Sequence, residues 1–178
     1  MGNDPEMRLN VGSGRHVLDD WTNVDVVRSP KASRDPDIFA NALEIPLPDN
    51  CADELMAIHL FEHFYRWDAP KALTEWHRLL KPGGKLILEM PDVKKCAKNL
   101  IRLIDGDDIK SVDSLAMHGL YGDPGTEDPW MSHKWGWTPK TLRPMLKKAG
   151  FTDMRETETQ WHAIGRKLRD FRMEARKA

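Results

Sequence analysis

At 178 residues, with 40% apolar and 31% charged side chains, the chain has an ordinary globular composition. It can bury roughly 70% of its unfolded surface without disulfide or metal staples. A net charge of −1 argues against the overall basic field that nucleic-acid binding requires. No apolar run approaches the roughly 20 residues of a membrane span, MGNDPEMRLN lacks a signal-peptide core, and Cys51 and Cys96 form no CxxC or Cys/His ligand spacing, so one cytoplasmic domain over residues 1–178 is expected.

In chain order, Arg8 to Val11 reads as a first strand, Thr22 to Val26 as a second, Asp37 to Ala40 as a short third and Ala52 to His59 as a fourth. A helix follows, with Asp68 as its cap and Pro70 in its first turn, where no N–H partner is needed. Its apolar positions Ala72, Leu73, Trp76, Leu79 and Leu80 keep a helical period until Lys81-Pro82-Gly83-Gly84 stops it. Lys85 to Met90 is a near-continuous apolar run, as expected of a strand covered on both faces. Asp92 caps the next helix, with Val93, Cys96, Ala97, Leu100, Ile101 and Ile104 on one face. A short helix around Val112 to Gly119 precedes a loop rich in Gly, Pro and Trp, Tyr121 to Trp137. Thr138-Pro139 then opens a helix ending at Ala149-Gly150, with Pro144 kinking or restarting it. Thr152 to Thr159 and Asp170 to Arg176 read as closing strands, and in the second Phe171, Met173 and Ala175 alternate with charge. The basic residues from Arg166 to Lys177 read as a solvated strand face. Alternating strands and helices imply a mostly parallel sheet with right-handed crossovers.

Arg8-Leu9-Asn10-Val11-Gly12-Ser13-Gly14 runs a strand straight into a Gly-x-Gly turn. In an open parallel sheet ligands bind beyond the carboxyl ends of the strands, and glycines let the backbone approach them closely. By itself the turn is equally readable as purely structural. Asp25, ending the second strand, adds a carboxylate placed to accept both hydroxyl hydrogens of a ribose. A dinucleotide fingerprint needs a third glycine where this chain has Val17, and Gly14 to Asp25 is too short for a full crossover helix. The loop therefore suits a nucleoside without pyrophosphate, and a nicotinamide oxidoreductase is disfavoured.

These pieces, with Trp21-Thr22-Asn23-Val24-Asp25, Ile45-Pro46-Leu47-Pro48-Asp49, Asp53, His59-Leu60-Phe61-Glu62-His63 and Leu79-Leu80-Lys81-Pro82-Gly83-Gly84, resemble the class I S-adenosylmethionine-dependent methyltransferases, in particular small bacterial and phage-type members. The resemblance implies a three-layer Rossmann-like α/β fold with a mostly parallel seven-stranded sheet, an antiparallel last strand and truncated early helices. It assigns Asn10, Gly12, Ser13 and Gly14 to the cofactor, with the glycine turn against its methionine part. Asp25 would hold the ribose with Val26 beside the adenine. Asn41, Ala42 and Leu43 would edge the adenine (Asn41 standing where relatives often have Asp), and His59 and Leu60 would line the methionine side. The cap helices of larger relatives are expected to be missing, so the cleft would be open unless the late loop, the substrate or a second subunit of a homo-oligomer closes it.

The implied activity is methyl transfer from S-adenosylmethionine to a small-molecule or glycan-linked acceptor, with no nucleic-acid or membrane partner. The alternative is a module that binds the cofactor without catalysis. An oxygen acceptor often needs a base, which suits histidine. His63 and His133 are the catalytic candidates, each weighed against a structural role, and Glu62 can orient a neighbouring imidazole. The late loop is expected to fold over the methyl end, carrying His133, while its tryptophans stack on a planar acceptor or sugar face. Trp21 and Trp76 are expected in the core. HxxxH at His59 and His63 is a possible metal pair lacking an obvious third ligand, and Asp123, Glu127 and Asp128 near His133 a possible hard-cation cluster. Neither is assigned, and no metal is expected.

Overall fold

The computed structural model describes residues 6–104, 109–123, 128–161 and 167–178, and Arg166 and Glu127 lie outside them. Seven strands, β1 Arg8–Val11, β2 Thr22–Asp25, β3 Ile38–Phe39, β4 Ala52–Ile58, β5 Leu80–Pro91, β6 Phe151–Thr157 and β7 Asp170–Lys177, form one sheet in the order β3-β2-β1-β4-β5-β7-β6. β1 to β5 are mutually parallel, and β7 is antiparallel to both β5 and β6. This is the expected α/β architecture. The helices are α1 Ala69–Leu79, α2 Val93–Ile104, α3 Ile109–Val112, α4 His118–Tyr121 and α5 Pro139–Lys148, with a wider π-type turn at Asp113–Met117 joining α3 to α4.

The two faces of the sheet differ in chemistry, because alternate side chains point to opposite sides. Leu9, Val11, Val24, Leu55, Ala57, Leu86, Leu88, Met90, Phe171, Met173 and Ala175 point into the main core, where Ala72, Leu73 and Trp76 of α1 and Leu142 and Leu146 of α5 cover them. On the other face only Met56, Ile58 and Ile87 form an apolar strip, packed by Leu18, Trp21 and Trp161. Beside it runs a ladder of charges. Glu54 faces Lys85, and Glu89 faces Arg172, in direct cross-strand register. Lys85 also reaches Glu174 at 3.2 Å, and Arg172 reaches Glu174 at 3.0 Å.

The connections from β1 to β2 and from β2 to β3 contain no helix at all, so truncation of the early helices is complete. A polar hub takes their place. Asn23, fully buried on β2, donates from Nδ2 to the carbonyls of Leu18 and Trp21 and to Asp37 Oδ2, each at 2.8 Å. Its Oδ1 accepts from the Leu18 N–H and from Asn10 Nδ2, both at 2.9 Å. Asn23→Asp keeps the shape but turns that donor into an oxygen facing three oxygens. We expect a loss of at least about 2 kcal/mol, read by denaturant unfolding; a loss under about 0.5 kcal/mol would show that water satisfies the loop instead.

Several local expectations change. Asp68 precedes α1 but makes no side-chain cap bond; its carboxylate takes Lys71 Nζ at 2.8 Å. Lys81-Pro82-Gly83-Gly84 does not leave the sheet. β5 begins at Leu80 opposite Ala52 and resumes at Lys85 opposite Glu54, with the intervening residues bulged out. Gly83 there has φ +77°, and a Cβ at Gly84 would sit 2.8 Å from the Lys81 carbonyl oxygen. Thr138 and Thr141 form a reciprocal capping box, and α5 continues through Pro144 as one helix. α2 buries Cys96 and Asn99, with Asn99 Nδ2 donating to the Leu115 and Leu168 carbonyls, while Ile101 of the expected apolar face stays 72% exposed. The basic residues of β7 are not simply solvated. Lys177 Nζ binds Asn50 and the carbonyls of His77 and Leu80, and Arg172 is buried.

Candidate functional site

Four strand ends converge at the carboxyl edge of the parallel sheet. Gly12 (φ +70°) and Gly14 (φ +52°) turn the chain after β1 through a left-handed conformation that side chains resist. The turn is fastened to β2: the Gly12 and Ser13 N–H groups donate to the Val24 carbonyl, and the Gly14 N–H donates to Asp25 Oδ2 at 2.8 Å. Gly12 and Gly14 do different jobs. A Cβ at Gly12 would strike the Leu60 side chain at 2.8 Å, whereas one at Gly14 would meet nothing within 4 Å. Gly14 therefore borders open space, while Gly12 packs against the Leu60 side chain at the exit of β4. Ser13 Oγ is buried without a hydrogen-bond partner. Asp25 Oδ1 makes only a 3.3 Å contact with the Val27 N–H, so its acceptor capacity is largely unspent. An orphan hydroxyl, an open backbone turn and a half-buried carboxylate fit a nucleoside with a polar substituent.

Val26 is 47% exposed beside Asp25. Beyond β3, Asn41-Ala42-Leu43 makes a tight turn in which Asn41 Oδ1 accepts from the Leu43 N–H at 2.9 Å. The fully buried indole of Trp76 donates to the Ala42 carbonyl at 2.9 Å and so ties this turn to α1. Asn10, by contrast, points to the second face and donates to the His16 carbonyl and Asn23. Its side chain shapes the loop from behind.

After β4 the chain turns sharply at His59, whose φ is +50°. Its imidazole bridges two buried carboxylates, with Nδ1 3.0 Å from Glu62 Oε1 and Nε2 3.2 Å from Asp170 Oδ2. Burial pushes the imidazole's pKa down, but the hydrogen bonds and charges of Asp170 and Glu62 outweigh it and hold His59 at about 9. The same contacts overcome burial for the two carboxyls and keep both well below the usual carboxylate range. Asp170 is also gripped by Arg169, Nε at 2.6 Å and Nη2 at 3.0 Å. His59 is therefore a half-buried cationic strut between two carboxylates, and Leu60 is the side chain that meets the glycine turn. Sequence spacing reveals Glu62 but not Asp170, which arrives on β7.

The late loop docks on this turn. Lys134 and Trp135 N–H groups donate to the Glu62 carbonyl, and the His133 N–H to the Tyr121 carbonyl. Trp137, 2% exposed, packs on Phe61 with ring centres 5.1 Å apart. His133 and His63 thus meet edge to face at 4.9 Å. His133 Nδ1 lies 3.1 Å from the Gly119 carbonyl, which can only accept, so Nδ1 carries the hydrogen and Nε2 the lone pair. Burial lowers the His133 pKa, despite the nearby Glu62 charge. Outside this knot Trp67, Trp130 and Trp135 are exposed, with Trp67 stacked on Tyr65 at 4.7 Å and Arg66 lying over Trp135. Trp76 is in the main core as expected, and Trp21 packs on the second face.

A family described as a methyltransferase domain matches residues 15–88. The chain is 30% identical over 118 residues to a demethylmenaquinone methyltransferase of Thermus thermophilus, a match covering 64% of this chain and 50% of that protein. It is 35% identical over 52 residues to a probable S-adenosylmethionine-dependent methyltransferase of Mycolicibacterium smegmatis, covering 29% and 20%. The chain thus spans half or less of the length of these curated relatives. Among solved structures it superposes on an S-adenosylmethionine-dependent methyltransferase of Archaeoglobus fulgidus with TM-score 0.63 and 17% identity, covering 97% of this chain and 86% of the other. It also superposes on the 1,6-didemethyltoxoflavin-N1-methyltransferase of Burkholderia thailandensis, solved with 1,6-didemethyltoxoflavin and S-adenosylhomocysteine, with TM-score 0.60 and 16% identity, covering 98% and 72%.

Proposed function

We propose that this chain is a class I S-adenosylmethionine-dependent methyltransferase and transfers a methyl group from S-adenosylmethionine to an oxygen or nitrogen of a small-molecule or glycan-linked acceptor. The observation that carries the reading is the convergence of the Gly14 opening, the orphan Ser13 hydroxyl and the Asp25 carboxylate at adjacent strand ends. Ser13 and Gly14 would hold the methionine part, Asp25 the ribose, and Val26 with Asn41-Ala42-Leu43 the adenine; His59 and Leu60 form the wall between this site and the late loop. The bound cofactor supplies an already activated methyl on a sulfonium leaving group. What remains for the protein is to align the acceptor and receive its proton. His63 and His133 stand at that end as the candidate proton acceptors, with the basic nitrogen of His133 directed toward Glu62, 3.9 Å away. The exposed Trp130 and Trp135 support stacking on a planar or sugar acceptor. A reducing compartment suits the free thiols Cys51 and Cys96. No described helix is long and apolar enough to cross a membrane.

Calorimetry with S-adenosylhomocysteine and, separately, NAD tests the cofactor: binding of NAD alone would overturn the reading. Product release on adding candidate acceptors tests transfer. Asp25→Ala should weaken S-adenosylhomocysteine binding by about 1.5–3 kcal/mol. Because Asp25 also fastens Gly14, Asp25→Asn is the sharper variant. It keeps an acceptor for the Gly14 N–H and removes the charge, so a smaller loss is expected. Unchanged affinity in both folded variants would remove the ribose role.

A further inference from the structure

We propose that Glu62, His63 and His133 form a binding site for a divalent transition-metal ion of the zinc class. One potential ligand atom from each lies within 4.8 Å of the others. Two observations beyond this proximity point to an ion. Glu62 Oε2 and His63 Nδ1 are both buried with no hydrogen-bond partner, although buried polar atoms are almost always satisfied. The atoms behind the cluster are already arranged as metal ligands need. His133 donates Nδ1–H to the Gly119 carbonyl, which leaves Nε2 toward the cluster, and Glu62 Oε1 is held by His59, itself held by Asp170. Support of this kind, a backbone carbonyl behind an imidazole and a hydrogen bond behind a carboxylate, is what orients metal ligands.

The donor set chooses the ion. Two imidazoles and one carboxylate suit zinc and its neighbours rather than magnesium or calcium, which demand oxygen. Three protein ligands leave a coordination position open. Bonds of about 2.0–2.2 Å require the three side chains to draw in by about an ångström, which His63, half-buried at the rim, has room to do. Sequence spacing pairs His59 with His63. The fold instead commits His59 to its two carboxylates and brings His133 across from the late loop, so the third ligand is one that no local motif contains.

The site lies between the β4 exit, which packs on the glycine turn, and the loop assigned to the acceptor. Its open position would take an oxygen or nitrogen of that acceptor. An acceptor hydroxyl bound there loses its proton to solvent more readily, and the histidines then serve as ligands rather than bases. This last step rests on the proposed methyl transfer, whereas metal binding does not.

The test is a titration of purified, chelator-stripped protein with Zn2+ by calorimetry and with Co2+ by visible absorption, alongside S-adenosylhomocysteine binding in the same samples. One ion per chain is expected, with intense bands of four-coordinate Co2+ and no competition from excess Mg2+. His63→Gln and His133→Ala should each weaken Zn2+ at least tenfold while retaining S-adenosylhomocysteine binding, which shows them folded. Should His133→Ala fail that control, His63→Gln at the rim carries the test. Absence of stoichiometric binding, or unchanged Zn2+ affinity in the folded variants, overturns the metal site. If S-adenosylhomocysteine still binds in that case, the methyltransferase reading stands without it. If S-adenosylhomocysteine fails to bind wild-type protein that takes up one ion, the function reading falls and the metal site stands.

Discussion

Asp170→Ala is expected to cost about 3–5 kcal/mol of folding stability, a large part of what a domain has to lose. Asp170 is fully buried and holds two cationic groups, Arg169 through both oxygens and His59 through one. Removing it takes the carboxylate from a guanidinium that is 5% exposed, and one of two carboxylates from the His59 imidazole. An uncompensated buried charge is worth far more as a penalty than an exposed ion pair is as a gain. On the scale for a chain of this size the midpoint of thermal unfolding should fall by about 10 °C. Asp170→Asn keeps hydrogen-bonding atoms in place and should fall between the two. If the alanine variant unfolds within about 1 kcal/mol of the parent in a denaturant titration, the Arg169–Asp170–His59 chain does not support the β4 exit.

Trp76→Ala should be of similar size for a different reason. The indole fills the centre of the main core, against Phe61 at 5.7 Å and Phe64 at 6.1 Å, and has no exposed surface. Deleting it leaves a cavity, for a loss of about 3–5 kcal/mol. Its N–H is also the anchor of the Ala42 carbonyl, so the turn assigned to the adenine loosens. Trp76→Phe separates the effects: the ring survives, the hydrogen bond does not, and about 1–2 kcal/mol should go. S-adenosylhomocysteine affinity should drop in the folded phenylalanine variant. Affinity equal to the parent would mean that the turn at residues 41–43 holds itself.

How much of this is legible in the sequence depends on how local the cause is. β1 and β5 can be read because an apolar run ending in glycine or aspartate is a local pattern, and the helix at Thr138-Pro139 because a capping box is contained in four residues. The position of Asp25 can be read because the Gly14 turn reaches it within eleven residues. The bulge at Pro82-Gly83 cannot: the residues after α1 loop out between two sheet pairs, Leu80 with Ala52 and Lys85 with Glu54, which depends on β4 opposite. Nor can the role of His59. Its neighbour Glu62 is in view, but Asp170 and Arg169 meet it only through the order in which β7 inserts beside β5. The pattern also misplaces the exposed side of α2, since Ile101 matches the helical period yet is 72% exposed. Asn10 looks like a binding residue because it stands two positions before the glycine turn, yet the period of two along β1 sends it to the opposite face.

The alternation of β7 has a consequence in time. A slip of one residue against β5 would drive Asp170, Arg172 and Glu174 into the oily side of the sheet and put Phe171 and Met173 outside, so only one alignment is tolerable. That single alignment is also what delivers Asp170 to His59. The contact that certifies it, Arg172 to Glu89, joins residues 83 positions apart, and closures of that span are the slow ones in folding. The glycine turn and its aspartate can therefore assemble early from neighbours in the chain, while the strut beneath them waits for β7 to zip. Competence of the cleft becomes a checkpoint on complete folding, because a chain still lacking its seventh strand has only one of the two carboxylates, Glu62, that brace His59 at the β4 exit.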